Sequence, residues 1–444
     1  MLTLAKSDNR VIKILGRNGV DASRDYRLSS YVYCYSEPGR HLIKSTMTGG
    51  IYLLSDEEWK LIDPSVNPVV SGKVFEASGL SELVSSCVFV YTTDDDYSRY
   101  QLAVSVLKAM DKKTGIQSYT ILPTTGCNAR CVYCYEKGMK ISSMTEDTAD
   151  KVVDYILRTK SSEEITLRWF GGEPLVANKI ITRICTALND NNVPFKSKII
   201  TNASLFTPEL LDTAVNVWHL KAAQVSVDGS KVDYESRKLF CCPSFHNYEH
   251  LLKTIGLMLE AGLEVTLRCN YDHGNVEGMY EFWEDINKLY GDTDKLRLYS
   301  SMLFQAQKDE SCVDLHRRYI EIRSETQKNG MKFLRGKSSE YRMKTNFCMA
   351  DSDGKCVVIS PEGDLYNCEH LPTNTACSNI FDEDFKLKSD PRASLEVAEE
   401  CRNCCFLPEC TPFCRNGCPD WFKYCRDIKS IDTEYQLKNL FLGQ

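Results

Sequence analysis

From Ser118 to about Gly330, short apolar runs rich in β-branched and aromatic residues alternate with longer stretches whose apolar positions recur at helical spacing. SYTILPT, EITLRWF, KSKIITN, AAQVSVD, EVTLRCN and KLRLYSS predict strands. ADKVVDYILRTK, ANKIITRICTALN, NYEHLLKTIGLMLEAG, EGMYEFWEDINKLY and LHRRYIEIRSETQK predict helices between and after them. Six βα units in succession imply a parallel sheet with right-handed crossovers, either an open doubly wound sheet or a partial barrel. In both forms ligands collect at the carboxyl ends of the strands.

The pattern differs on either side of this region. Residues 1 to about 110 predict a small α/β module: strands over 31–36 and 41–47 around a turn at Pro38 and Gly39, then IYLL as a further strand. Ser55 followed by Glu58 has the spacing of a capping box and predicts a helix start. SELVSSCVFV predicts a helix and then a strand, Asp94 to Asp96 a solvated loop, and QLAVSVLKAM a helix leading away from the module. After Met331 the periodicity dissolves into a Cys-, Gly- and Pro-punctuated segment to about Arg426, followed by a helical tail over 427–444. So few apolar runs cannot build much core unaided, and bound metal clusters can supply the missing stability.

Composition narrows the class. With 444 residues, 43% hydrophobic and 26% charged, the chain is globular, and its net charge of -7 gives no general attraction to nucleic acid or anionic lipid. No apolar run approaches the roughly 18 residues of a membrane span. Lys6, Asp8, Arg10, Lys13 and Arg17 interrupt the first twenty residues, so a cytoplasmic protein without membrane association is expected. Cysteine is the anomaly: there are 21, and 11 of them fall between Cys348 and Cys425. In a reducing compartment clustered thiols more often bind metal than pair as disulfides.

Immediately after the first strand of the βα region, TTGCNARCVYCYEKG places Cys127, Cys131 and Cys134 in a CxxxCxxC spacing. Three thiolates so close together suit a soft-metal centre, an iron-sulfur cluster or zinc completed by a distant fourth ligand. A four-iron cluster with three protein ligands keeps one iron open for another molecule.

CxxxCxxC with an aromatic residue, Tyr133, before its last cysteine resembles the signature of the radical S-adenosylmethionine (SAM) superfamily. The resemblance implies a [4Fe-4S] cluster on Cys127, Cys131 and Cys134 whose open iron binds SAM, and cleavage of SAM to a 5'-deoxyadenosyl radical that abstracts a substrate hydrogen. Gly171, Gly172, Glu173 and Pro174 then match the family's GGEP motif, in which glycines permit close backbone approach and the carboxylate can accept from an ammonium group. The third strand ends at Thr201 and Asn202; VSVDG aligns Ser226 and Asp228 with ribose-contacting positions, and LRCN offers Arg268 and Asn270 to SAM or substrate. Each motif alone is weak, and their order at successive strand ends is the signal.

The C-terminal cysteines resemble a SPASM domain, which implies two auxiliary [4Fe-4S] clusters. By that resemblance Cys348, Cys356, Cys368 and Cys414 hold the first, and Cys401, Cys404, Cys410 and Cys425 the second, with Cys377, Cys405 and Cys418 left over. The family's longer gap before the last cysteine is missing, so Cys418 or Cys425 can be the final ligand, and since some relatives leave one iron of the first auxiliary cluster open to substrate, the resemblance leaves open whether Cys356 is a ligand. Glu369, directly after Cys368, matches an acidic catalytic base of anaerobic sulfatase-maturing enzymes, with His370 a weaker candidate. Cys34, Cys87, Cys185, Cys241, Cys242, Cys269 and Cys312 read as structural, the adjacent Cys241 and Cys242 being the exception to watch, while Trp169, Trp218 and Trp283 read as core or lid packing.

The expected fold is therefore α/β: a partial (β/α)6 TIM-type barrel (116–330), a small N-terminal winged-helix-like domain (1–110) and a Cys-rich SPASM domain (345–426). The N-terminal module resembles, by organisation only, leader-peptide recognition elements of ribosomal-peptide maturases, which capture a leader as an added strand. The resemblance implies a maturase that crosslinks a precursor peptide through a thioether, carbon-carbon or related bond, with a flavodoxin or ferredoxin as electron donor. The alternatives are oxidation of Cys or Ser as in sulfatase maturation, a non-peptide substrate, or a zinc-stabilised peptide-binding or electron-transfer protein.

Overall fold

The computed structural model describes residues 1–16, 19–111, 114–161, 163–330, 341–343, 345, 354–369, 376–382, 397–410 and 423–442. Cys348, Cys414, Cys418 and His370 lie outside the described residues.

In the N-terminal module strands and helices interleave: β1 (Leu2–Ala5), α1 (Asn9–Leu15), β2 (Asp25–Leu28), β3 (Val32–Glu37), β4 (Arg40–Ser45), β5 (Ile51–Leu54), α2 (Asp56–Ile62), β6 (Val70–Ser71), α3 (Gly72–Ser78), α4 (Ser81–Ser85), β7 (Phe89–Tyr91) and α5 (Asp96–Met110). They build two antiparallel sheets, ordered β1-β5-β4-β3 and β6-β2-β7. The capping box of α2 forms in both directions between Ser55 and Glu58. The acidic 94–96 stretch is not a solvated loop. Asp95 caps α5, and Asp96, 3% exposed, accepts from the Arg27 guanidinium at 2.8 Å, the Ser30 backbone N–H at 2.7 Å and the Ser29 hydroxyl at 3.1 Å. A carboxylate supplied with a cation and two further donors tolerates burial that an unpaired one does not.

The six predicted strands all form: β8 (Ser118–Thr124), β9 (Ile165–Gly171), β10 (Phe195–Thr201), β11 (Leu220–Val227), β12 (Glu264–Tyr271) and β13 (Leu296–Met302). They pair in sequence order, all parallel, and leave the barrel open at β13. Between and after them run α6 (Glu146–Thr159), α7 (Asn178–Asp190), α8 (Pro208–Asn216), α9 (Lys231–Lys238), α10 (Tyr248–Glu260), α11 (Met279–Tyr290) and α12 (Ser311–Lys328). Alternation within a strand sorts its two faces: Ile165, Leu167 and Trp169 of β9 are fully buried, whereas Thr166, Arg168 and Phe170 are half-buried on the other face. Trp169, Trp218 and Trp283 are all core residues.

The Cys-rich segment borrows the barrel's core. β14 (Cys356–Ile359) pairs parallel to β8, and β15 (Asp364–Tyr366) and β16 (Ser378–Asn379) continue that sheet antiparallel. Val357, Ile359, Leu365 and Ile380 join the same hydrophobic cluster as the barrel strands. Short α13 (Glu399–Arg402) follows, and α14 (Cys425–Leu442) packs on α12 through Ile428 against Cys312 and Val313, and through His316, whose Nε2 lies 3.0 Å from Asp432.

Candidate active site at the strand ends

Each strand end contributes one piece. Thr124, the last residue of β8, folds the chain into the cysteine loop: its hydroxyl donates to Ser142 O at 2.9 Å and accepts from Gly126 N at 2.9 Å. The neck of the loop closes through Thr125 N to Ser142 O and Met144 N to Pro123 O, both 2.9 Å. Cys127, Cys131 and Cys134 are half-buried within it. Burial pushes the Cys127 thiol up to about 11 and raises that of Cys134, while the Ala129 N–H donates to the Cys127 sulfur at 3.4 Å.

The glycines of the second strand end serve this loop. A Cβ on Gly171, whose φ is +117°, would lie 2.2 Å from Thr124 O, and one on Gly172 would lie 2.4 Å from Gly126 O. Their lack of side chains lets the end of β9 press against the backbone that launches the cysteines. Glu173 is fully buried and supplied with donors: Leu175 N at 3.1 Å, the Thr201 hydroxyl at 2.7 Å and Asn202 N at 2.7 Å. Burial raises its carboxyl, opposed by those donors. It braces the ends of β9 and β10 to one another. Asn202 extends the brace, its amide donating to Asn128 in the cysteine loop at 2.9 Å.

A strap over residues 237–241, which sequence reasoning missed, clamps the other side of the loop. Val132 N donates to Arg237 O at 3.0 Å, Arg130 N to Leu239 O at 3.0 Å and Cys241 N to Asn128 O at 2.9 Å, with a bridge between Ala129 and Phe240. Lys238 within this strap is 3% exposed and has its ammonium 3.6 Å from Asp228, itself 0% exposed. The Lys238 ammonium also stands 5.9 Å from the centre of the Tyr133 ring, and Arg237 sits 5.5 Å from it. Asn270 reaches the Tyr133 hydroxyl at 3.5 Å. At the helix end that closes α9, a basic Arg-Lys pair reads in the sequence as an ordinary complement to the helix dipole, so nothing marked Lys238.

Ser226 and Arg268 are register partners on β11 and β12, half-buried on the barrel's inner face, and Arg268 donates to the Ser301 hydroxyl at 3.2 Å. Glu369 comes from the C-terminal segment to the same face, pairing with Arg168 at 3.4 Å. Its charge reaches the hydroxyls of Tyr135 and Tyr299. Glu369, at the mid-strand depth of Arg168, thus lies within reach of Tyr135, the residue that follows Cys134 in the cysteine loop.

The remaining cysteines divide. Continuing the β14–β15 register by two residues sets Cys368 opposite Cys356, with Gly363 in the turn between them. The Asn367 amide lies 3.3 Å from the sulfur of Cys377. Cys401, Cys404, Cys410 and Cys425 are close enough to act on one another: burial, then Cys410, Cys425 and Cys404, push the Cys401 thiol up to about 11. Cys404 is held down at about 6 by the thiol of Cys405 donating to it. Cys87, Cys185, Cys269 and Cys312 are buried and Cys241 and Cys242 exposed.

Among the described residues no three His, Cys, Asp or Glu side chains converge tightly enough to share a single ion. The thiols of a four-iron cube bind different irons, so the half-buried Cys127, Cys131 and Cys134, which do not converge on one point, fit such a group.

Residues 121–286 match the Radical SAM superfamily. The match begins within β8 and ends in α11, so every strand end described above up to Asn270 lies inside the matched segment. An uncharacterized protein of Methanocaldococcus jannaschii is 24% identical over 276 residues, 61% of this chain and 90% of its own length. Among solved structures, anSMEcpe with bound AdoMet and Cp18Cys peptide superposes with a TM-score of 0.54 at 16% identity, covering 73% of this chain and 98% of that one. Streptococcus suis SuiB bound to precursor peptide SuiA gives a TM-score of 0.50 at 16% identity, covering 87% and 94%. These likenesses establish the fold: a radical SAM α/β architecture whose parallel strands form a partial barrel.

Proposed function

We propose that this protein is a SPASM-type radical SAM peptide maturase that installs an intramolecular crosslink in a ribosomally made precursor. The observation that carries the reading is that Glu369 pairs with Arg168 on the half-buried face of β9 and bears on Tyr299 and on Tyr135, directly after Cys134, so that the carboxylate and the cysteine loop share one interior. Two proteins of this fold were solved with a peptide bound, anSMEcpe with Cp18Cys and SuiB with SuiA, which supports a peptide as substrate.

Cys127, Cys131 and Cys134 would hold the SAM-binding cluster. Cys401, Cys404, Cys410 and Cys425 would hold one auxiliary cluster, and Cys356 with Cys368 part of another, completed by Cys348 and Cys414. When bound, these groups supply the electron that cleaves SAM to a 5'-deoxyadenosyl radical and an acceptor for the surplus electron left after hydrogen abstraction. Ser226 reaches SAM from the inner face, and Tyr133 and Asn270 shape the wall beside it. Asp228, being fully buried, acts on that wall from behind. Glu369 takes the proton that leaves the substrate as the new bond forms, once substrate displaces it from Arg168. The N-terminal module holds the leader.

Anaerobic co-expression with a short precursor encoded beside the gene, followed by mass measurement, tests the reading. A crosslinked product two hydrogens lighter is expected, and Glu369→Gln should slow its formation at least tenfold while SAM cleavage continues. Unmodified peptide with every adjacent precursor, despite SAM cleavage, would move the substrate outside the peptides.

A further inference from the structure

Lys238 and Asp228 form a buried ion pair, and the chemistry so far gives Lys238 no part. Both are sealed, at 3% and 0% exposure, and their closest approach is 3.6 Å. Neither carboxylate oxygen of Asp228 makes a hydrogen bond of normal length, although the Tyr133 hydroxyl and the Lys238 ammonium lie near enough to favour its charged form. Withdrawing two charges from water costs several kcal/mol each, and only a pair rich in additional hydrogen bonds recovers that cost. This pair is poor in them, so as a purely structural device it is a bad one.

Position supplies the missing reason. Lys238 is the residue whose own carbonyl lies 3.3 Å from Arg130 N in the cysteine loop, and its ammonium stands over the ring of Tyr133, one residue before Cys134. Tyr133, Asp228 and then Cys131 favour the charged form of the ammonium against its burial. Lysine carries three N–H donors, and Asp228 at 3.6 Å takes none of them at hydrogen-bonding distance. A cluster held by three thiolates is anionic, and its potential depends on net charge, hydrogen bonds to sulfur and solvent exposure. Glu173 adds another buried carboxylate nearby, and Lys238 is the more deeply buried of the two cations, with Arg237, that stand over Tyr133 against this negative charge.

We propose that Lys238 is a positioning residue for electron transfer, a fixed buried cation against the Cys127–Cys131–Cys134 loop that raises the reduction potential of the cluster those cysteines hold, with Asp228 setting how much of its charge the cluster experiences. The proposal rests on the radical SAM reading and says nothing about the substrate. Adding an electron to the cluster is favoured by a nearby cation. Lys238→Met should therefore make the midpoint potential more negative, Asp228→Asn should make it less negative, and Lys238→Arg should leave it near that of the unaltered protein.

The experiment is a redox titration of the anaerobically reconstituted full chain followed by electron paramagnetic resonance. Subtracting the spectrum of a Cys127, Cys131 and Cys134 triple alanine variant isolates the cluster of interest, whose signal must change when SAM is added. Potentials are read before SAM addition. Opposite shifts for Lys238→Met and Asp228→Asn support the proposal, because loosened packing would not give changes of opposite sign. Unmoved potentials, shifts in one direction, or a shift seen only with SAM present would overturn it, the last making Lys238 a SAM contact instead. Should Lys238→Met fail to assemble the cluster, Asp228→Asn and Lys238→Arg decide by the same criteria. Absence of any SAM-responsive signal in the unaltered protein would instead defeat the radical SAM reading, and this proposal with it.

Discussion

Two cysteine sites in this molecule are built in opposite ways. The loop after β8 is held almost wholly by its own domain: its neck closes on itself, Gly171 and Gly172 support it from β9, and the 237–241 strap clamps its far side. The quartet of Cys401, Cys404, Cys410 and Cys425 is held by regions far away in the chain. Tyr31 donates to Arg402 O at 2.7 Å, the Thr46 hydroxyl donates to Cys405 O, Lys44 pairs with Glu409 at 2.9 Å and Tyr33 donates to Glu434 at 2.9 Å. Leu407, 1% exposed, packs with Tyr31, Met47 and Ala103 of the N-terminal module. The module is therefore a wall of the quartet as well as the proposed leader site. Deleting residues 1–110 would remove both at once, so point substitutions are the cleaner probes.

The comparison predicts where damage stays local. Gly172→Ala should have the largest effect, since its Cβ would lie 2.4 Å from the backbone oxygen of Gly126 and backbone cannot yield as a side-chain end can. Iron bound by the loop and SAM cleavage should both be lost, while the quartet keeps its iron, as metal analysis and absorption would show. Leu407→Ala should cost about 2–5 kcal/mol by removing a buried apolar side chain. In denaturant unfolding followed separately at the two sites, iron should leave the quartet at lower denaturant than the loop. Loss from both at the same concentration would mean that the sites are one cooperative unit. Lys44→Met should be the mildest, about 1–3 kcal/mol for the loss of a mostly buried charged hydrogen bond, and its effect should change little as salt is added.

What the chain discloses in advance follows the same division. The barrel was legible because each strand is a short apolar run bounded by polar residues and each candidate residue sits in the last residues of such a run or just after it, from Cys127 to Asn270. Glu369 was legible only by its place beside Cys368, and its partner Arg168 was not, because the two are 201 positions apart. The attachment of β14 to β8 was hidden for a similar reason: CVVI is too short to declare its partner, and parallel pairing leaves no turn signal. Asp96 was misread because three adjacent aspartates resemble a solvated run until Arg27 and Ser30 are brought to one of them. Burial of Lys238 contradicts the usual behaviour of lysine, and composition cannot reveal such exceptions.

The claim on which the rest depends is that Cys127, Cys131 and Cys134 start the chemistry and the C-terminal quartet does not. Release of 5'-deoxyadenosine from SAM by the anaerobically reconstituted, reduced protein measures this directly. The unaltered chain and a Cys401→Ala, Cys404→Ala variant should both release it, and the Cys127→Ala, Cys131→Ala, Cys134→Ala variant should release none. Continued release from the loop variant would contradict the account.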